Sequence, residues 1–250
     1  MFYGVVTYFM LLFGGASIES FYLIDLDKGI KKHVTSITKR QDAEAILSAY
    51  ATIYKEYERE HKKILKELQQ KNMDYNTPRQ WYEHLFSEAM EDRKKLQSSF
   101  ITGRLRLQEV ITQDEWDKIM EMTQKDVNKL VEKRKKKRKK KERKSSYQVV
   151  SNTLKETIAP GEKLALALES LEDFRKKHIE IKESYEDLFA GKEDVITSRQ
   201  ATKEEMLEIC NVLNQIRQSL KDSYLKLLFN LKENTTEKEW TIIIKDLNKL

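Results

Sequence analysis

Four segments of this chain open with Thr-x-x-Glu/Gln ahead of an apolar helical run: Thr77 with Gln80, Thr112 with Glu115, Thr202 with Glu205, and Thr236 with Glu239. In such a capping box the threonine hydroxyl accepts from the backbone N–H three residues on, and the Glu or Gln side chain reaches back to the threonine N–H. Each box therefore marks a helix start. The spacing repeats, 35 residues from Thr77 to Thr112 and 34 from Thr202 to Thr236, and Trp116 and Trp240 follow the second and fourth boxes directly. The pattern predicts a chain written twice, as two tandem three-helix units packed as a bundle or as an extended helical array.

Punctuation agrees with that reading. Only 7 Gly and 2 Pro interrupt 250 residues, so tight hairpin turns are scarce and long helices follow. The expected fold class is all-α. A 39% hydrophobic content is enough to bury a core. Cys210, the single cysteine, lies in an apolar helical run and reads as a buried, inert thiol.

Apolar residues at three- and four-residue steps place a first helix A over 41–72, a helix B from Thr77 with Pro78 at its first position, and a helix C from Thr112. Ile111 and Trp116 form a hydrophobic staple at the start of helix C. In the second copy, helix A runs through Leu164, Leu168, Leu171, Phe174, His178, Ile181 and Tyr185. A slide of 117 residues sets Phe174 and His178 opposite Tyr57 and His61. Helix B then starts at Thr202 with Met206 in the place of Trp81, and helix C at Thr236 with Trp240 matching Trp116. The offset grows to 124 or 125, which assigns a longer A–B connection to the second copy. Trp81, Trp116 and Trp240 read as core anchors.

The N-terminal segment differs from the rest. Phe2 to Ile18 carries no charge, and its seventeen residues would span about 26 Å as a helix, at the short end for crossing a bilayer. Lys28, Lys31, Lys32, Lys39 and Arg40 follow it, whereas no Lys or Arg precedes it, so the positive-inside rule places the C-terminal side in the cytoplasm. The expectation is a single-pass N-terminal transmembrane helix. The alternative is a signal peptide cleaved near Ala16, which would make the protein exported or periplasmic.

The charge is concentrated. Lys133, Arg134, Lys135, Lys136, Lys137, Arg138, Lys139, Lys140, Lys141, Arg143 and Lys144 surround Glu142, a local charge of +10 in a chain of net charge +6. The remainder carries −4. Such a stripe cannot enter a core, and its natural partners are solvent, anionic membrane lipid or nucleic acid. Lipid is the favoured anion, because the stripe lacks the aromatic interleaving of a single-strand groove. The expected organisation is an anchor or signal peptide over 1–24, a juxtamembrane segment over 25–40, a first helical unit over 41–132, a polybasic linker or helix extension over 133–146, and a second helical unit over 147–250.

Nothing in the sequence assembles a reaction. His61 and His178 each stand alone on a helix, with no His or Cys three or four residues away, so no metal site is expected. Carboxylates alternate with Lys and Arg, as in Glu56 to Lys63, which is the pattern of a solvated helix face. No glycine-rich phosphate loop and no nucleophile elbow is present. The expectation is a protein that is not an enzyme, with no catalytic residue, no cofactor and no small-molecule substrate, acting through a protein partner or by self-association.

Ile-Thr-Gln-Asp-Glu at 111–115 and Thr-Thr-Glu-Lys-Glu at 235–239 resemble the Leu-Thr-x-x-Gln elements of small periplasmic helical stress proteins. That resemblance implies an exported, chaperone-like role. Glu stands where that family has Gln, and a capping box accounts for the same residues.

Overall fold

The computed structural model of the chain describes residues 20, 21, 23–139 and 146–248. Every regular element among them is helical: a 3-10 turn at Leu23–Asp25, then α1 (Asp27–His33), α2 (Ile37–Met73), α3 (Arg79–Val110), α4 (Gln113–Lys139), α5 (Ser146–Thr157), α6 (Glu162–Gly191), α7 (Glu193–Thr197), α8 (Lys203–Glu233) and α9 (Glu237–Leu247). The long helices α2 and α3 pack together, as do α6 and α8, and α3 packs on α8 between them. The shorter α1 and α5 are covered by α4 and α9 respectively.

One shift relates the two halves. Adding 124 to α3, Arg79–Val110, gives 203–234 against α8 at Lys203–Glu233, and the first residue of α4, Gln113, lands on Glu237, the first of α9. Adding it to α2 gives 161–197, which α6 and α7 fill with a break at Lys192. Buried positions follow the same shift: Leu26 and Val150, Ile30 and Leu154, Ala43 and Ala167, Leu47 and Leu171, Tyr50 and Phe174, Arg93 and Arg217, Phe100 and Tyr224, Trp116 and Trp240. This corrects the slide of 117 for helix A. At 124, His61 falls opposite Tyr185, His178 opposite Tyr54, and Met206 opposite Tyr82 rather than Trp81. The A–B connection is not longer in the second half, because α7 occupies the residues assigned to it.

Three of the four predicted caps form. Thr202 and Thr236 make full capping boxes with Glu205 and Glu239. Thr112 and Glu115 do so as well, with Thr112 N–H donating to Glu115 Oε2 at 3.1 Å and Glu115 N–H to the Thr112 hydroxyl at 3.4 Å. Thr77 and Gln80 do not form a box: Pro78 is the N-cap of α3, with no side-chain cap. The Thr77 hydroxyl instead donates to the Lys71 carbonyl at 2.9 Å, closing the turn after α2. At the 124 shift Pro78, not Thr77, corresponds to Thr202.

The boundary at 24 is also corrected. Phe21 and Leu23 are buried in the same cluster as Leu26, Ile30 and Val34, so the stretch assigned to an anchor end and a juxtamembrane segment is part of the folded body. Residues after Lys28 read as a charged flank by composition, yet their apolar members Ile30 and Val34 point into the core. Among the described residues no helix is long and apolar enough to cross a membrane. Phe2 to Ile18 lies outside the described residues.

The hydrophobic core comes in two parts, and each takes a piece from the other half. The first gathers α1 to α4 together with Ile196 of α7, Ala201, and Met206, Ile209, Cys210 and Leu213 of α8. The second gathers α5, α6, α8 and α9 together with Tyr82, Leu85, Phe86 and Ala89 of α3. The borrowed sets of α8 and α3 are related by the same 124 residues. Each half thus completes the other's interior.

Candidate functional site

Among the described residues no Asp or Glu is buried, yet Arg93, Arg104, Arg217 and Lys232 are. Burying a cation without a carboxylate requires other electron-rich partners. Two of these side chains find them at helix ends. The Arg104 Nη2 of α3 donates to the Ile196 and Ser198 carbonyls at 3.1 and 2.9 Å, at the C-terminus of α7. Carbonyls there carry the partial negative charge of the helix end. Its guanidinium carbon lies 3.6 Å from the Trp116 ring centroid, so the indole face supplies the rest of the counter-charge. Burial holds the Arg104 pKa well below its ordinary value.

Lys232 of α8 makes an analogous contact from the second half, although its counterpart in the 124 register is Gln108. Its Nζ donates to the Thr77 carbonyl at 3.1 Å and the Asp74 carbonyl at 3.4 Å, just past the end of α2. Three rings surround it, Trp240 and Phe229 at 5.3 Å and Tyr82 at 5.6 Å. Burial lowers its pKa, opposed by Asp74.

Around these cations similar bonds occur twice, each from one half to the other, at positions equal or one residue apart in the 124 register. Arg199 donates to the Gln108 and Ile111 carbonyls. Its counterpart Tyr75 donates to the Lys232 and Thr235 carbonyls at 2.7 and 2.9 Å. The Trp116 indole donates to the Thr197 carbonyl at 2.8 Å and the Trp240 indole to the Asn72 carbonyl at 2.9 Å. Gln124 reaches Glu193, and Asn248 reaches the Gln69 carbonyl. Between the two corners, on the α3–α8 contact, Gln97 and Asn214 exchange amide hydrogen bonds at 3.0 and 2.9 Å.

The tryptophans singled out by sequence take different places: Trp116 and Trp240 are wholly buried, whereas Trp81 is only partly buried and stacks edge-on against Tyr82. His61 lies flat on Tyr57, with centroids 5.5 Å apart, and burial aided by the nearby Arg93 charge lowers its pKa to about 3. It is neutral at pH 7. The His178 Nδ1 pairs with the Tyr147 hydroxyl at 2.6 Å. Burial raises the Cys210 thiol to about 12, so it is not a thiolate at neutral pH. Among the described residues no group of three or more His, Cys, Asp or Glu is placed to hold a metal ion.

The basic stripe begins inside α4. The backbone is helical through Lys139, which places Lys133, Arg134, Lys135, Lys136, Lys137, Arg138 and Lys139 on the last turns of that helix. Lys140, Lys141, Arg143 and Lys144 lie outside the described residues. α4 has 27 residues, and the stripe occupies its C-terminal end.

Arg104, Lys232 and Arg217 were not picked out from the sequence, although a signal was there. Leu96, Phe100, Arg104 and Leu107 follow three- and four-residue steps, as do Leu213, Arg217, Leu220 and Tyr224, so each cation interrupts an apolar stripe.

No family model, no curated protein and no solved structure matches this chain. What can be said of its function rests on its own residues.

Proposed function

We propose that the protein is a non-enzymatic helical interaction protein, built from a duplicated unit, whose basic stripe Lys133–Lys144 rests on anionic lipid. The apolar segment Phe2–Ile18 anchors it, with the helical body on the cytoplasmic side. The observation that carries the reading is the concentration of charge: +10 within twelve residues, the first seven of them on the last turns of α4. Each Lys or Arg that reaches an anionic surface adds about 1 kcal/mol of attraction. The interior supports a scaffold role, since Arg104, Arg199, Lys232, Trp116 and Trp240 are all engaged in bonds that join the halves.

The test uses the full chain reconstituted in phosphatidylcholine vesicles with or without phosphatidylserine, and times tryptic cleavage within Lys133–Lys144. Phosphatidylserine is expected to slow cleavage at low salt, and high salt to abolish the protection. Equal cleavage in both vesicles removes the lipid contact. Protection by added RNA or DNA but not by phosphatidylserine transfers the stripe to nucleic acid. A C-terminal tag digested by external protease while the inner membrane is intact overturns the cytoplasmic orientation.

A further inference from the structure

We propose that the two halves, 20–139 and 146–248, are specific partners that stay paired without the covalent connection between them, and that each half discriminates against a second copy of itself. This stands apart from the lipid reading, because none of the contacts it rests on involves the stripe.

Pairing follows from where the contacts fall. The bonds of Arg199 and Tyr75, of Gln108 and Lys232, and of Trp116 and Trp240 all cross from one half to the other. The cores cross as well, each being filled by four residues of the other half's long helix. A half on its own would expose those four side chains and leave an open place in its own core. Neither half has a complete interior, so the joint, rather than the connecting segment, holds them together.

Discrimination follows from the sizes of the exchanged residues. The first half lends Tyr82, Leu85, Phe86 and Ala89, while the second lends Met206, Ile209, Cys210 and Leu213. If two first halves paired, Phe86 would enter the place filled by Cys210, and Tyr82 that filled by Met206. Forcing an aromatic ring into a site packed around a thiol strains the surrounding core. If two second halves paired, Cys210 would underfill the place of Phe86 and leave a cavity, while Leu213 would overfill that of Ala89. The polar centre reinforces this. Gln97, which is 3% exposed, exchanges two hydrogen bonds with Asn214. In a pair of first halves the equivalent of Asn214 is Met90, which cannot return an amide bond, and a buried amide facing a thioether is costly.

One consequence reaches function. The segment linking the halves, basic through Lys144, is not needed to hold the fold. It can be bound or cut while the body stays assembled.

A site for a specific protease placed between Lys139 and Ser146 of the full chain, in mild detergent, tests both parts. After cleavage of the folded protein, the halves are expected to elute together and to give a one-to-one mass by native mass spectrometry. Halves that elute apart, each with its own cooperative melting transition, overturn the pairing. The cut protein is then unfolded in urea and diluted. Mixed pairs are expected to exceed like-with-like pairs by at least about tenfold. Like-with-like pairs at comparable abundance, or a failure to re-pair, overturn the specificity. Met206→Tyr with Cys210→Phe is expected to shrink the mixed-pair excess, which a purely non-specific association would not do.

Discussion

Gln108 and Lys232 stand 124 residues apart and make the same bond from opposite halves of the chain. The Gln108 amide donates to the Ala201 carbonyl at 3.1 Å, and the Lys232 ammonium donates to the Thr77 carbonyl at 3.1 Å. Ala201 and Thr77 are themselves 124 apart. A neutral amide and a cation thus serve one geometric role, and the difference between them is the ring of Tyr82, Phe229 and Trp240 around the ammonium.

Lys232→Gln is therefore expected to retain most of the stability that Lys232→Ala loses. Truncation leaves the Thr77 and Asp74 carbonyls without this donor, a cost of roughly 1–3 kcal/mol. Urea unfolding of the two variants reads the difference. An alanine variant as stable as the glutamine variant would mean that the bond contributes nothing.

The caps give a second test. Thr202→Ala and Thr236→Ala are each expected to cost about 1 kcal/mol, through loss of the box. Gln80→Ala is expected to be silent in thermal melts, because Gln80 is exposed and Pro78 caps α3 without it. A Gln80→Ala loss equal to that of Glu205→Ala would restore the first capping box.

Gly103 of α3 lies directly against the Tyr50 ring of α2. A Cβ there would lie 2.5 Å from Cε2 and 2.7 Å from Cδ2 of the Tyr50 ring. Helix propensity alone would favour alanine by up to about 1 kcal/mol. Tyr50 is buried and its ring is rigid, so the clash wins, and Gly103→Ala is expected to destabilise by roughly 1–3 kcal/mol. Adding Tyr50→Leu should recover part of the loss, and a stabilised single variant would contradict the close approach.

His61 sets an acid limit. Its folded pKa of about 3 lies below the ordinary histidine value of 6.5, so the unfolded chain binds the extra proton between those values. The stability contributed by keeping the ring neutral is complete above pH 6.5 and is lost progressively as pH falls toward 3. Between pH 8 and pH 5 the loss is on the order of 2 kcal/mol. Burial lowers the His178 pKa as well, so its effect has the same sign. Denaturant titrations of His61→Gln should show a shallower fall over this range than the unaltered chain; an identical slope would remove His61 from the account.

The helical pattern let the starts of α4, α8 and α9 be read closely, because each begins where cap chemistry and apolar periodicity coincide. The short helices α1 and α5 were missed. α1 has only 7 residues and adjoins an apolar stretch, and α5 has 12 and follows a charge run, so neither offers enough turns for its period to stand out. The slip from 124 to 117 in helix A has a definite cause. The two offsets differ by seven residues, about two turns of α-helix, so either slide superposes the same apolar face. The box at Thr77 failed for a related reason: Thr-x-x-Gln satisfies the pattern, but the chain turns one residue later, at Pro78.

Taken alone, the sequence determined an all-helical chain, three of its four capping boxes, the burial of Trp116 and Trp240 and of Cys210, and the singular position of the basic stripe. These follow from local chemistry or from a period that repeats within one helix. The tertiary structure decided which register relates the halves and which half fills each core. It also decided that Arg104 meets the end of α7 at Ile196, and Lys232 the turn after α2 at Thr77, each more than 90 residues away in sequence. A periodic pattern specifies the face a helix buries, not the helix it is buried against. That choice shows only in the tertiary structure, where Phe86 enters one core and Cys210 the other.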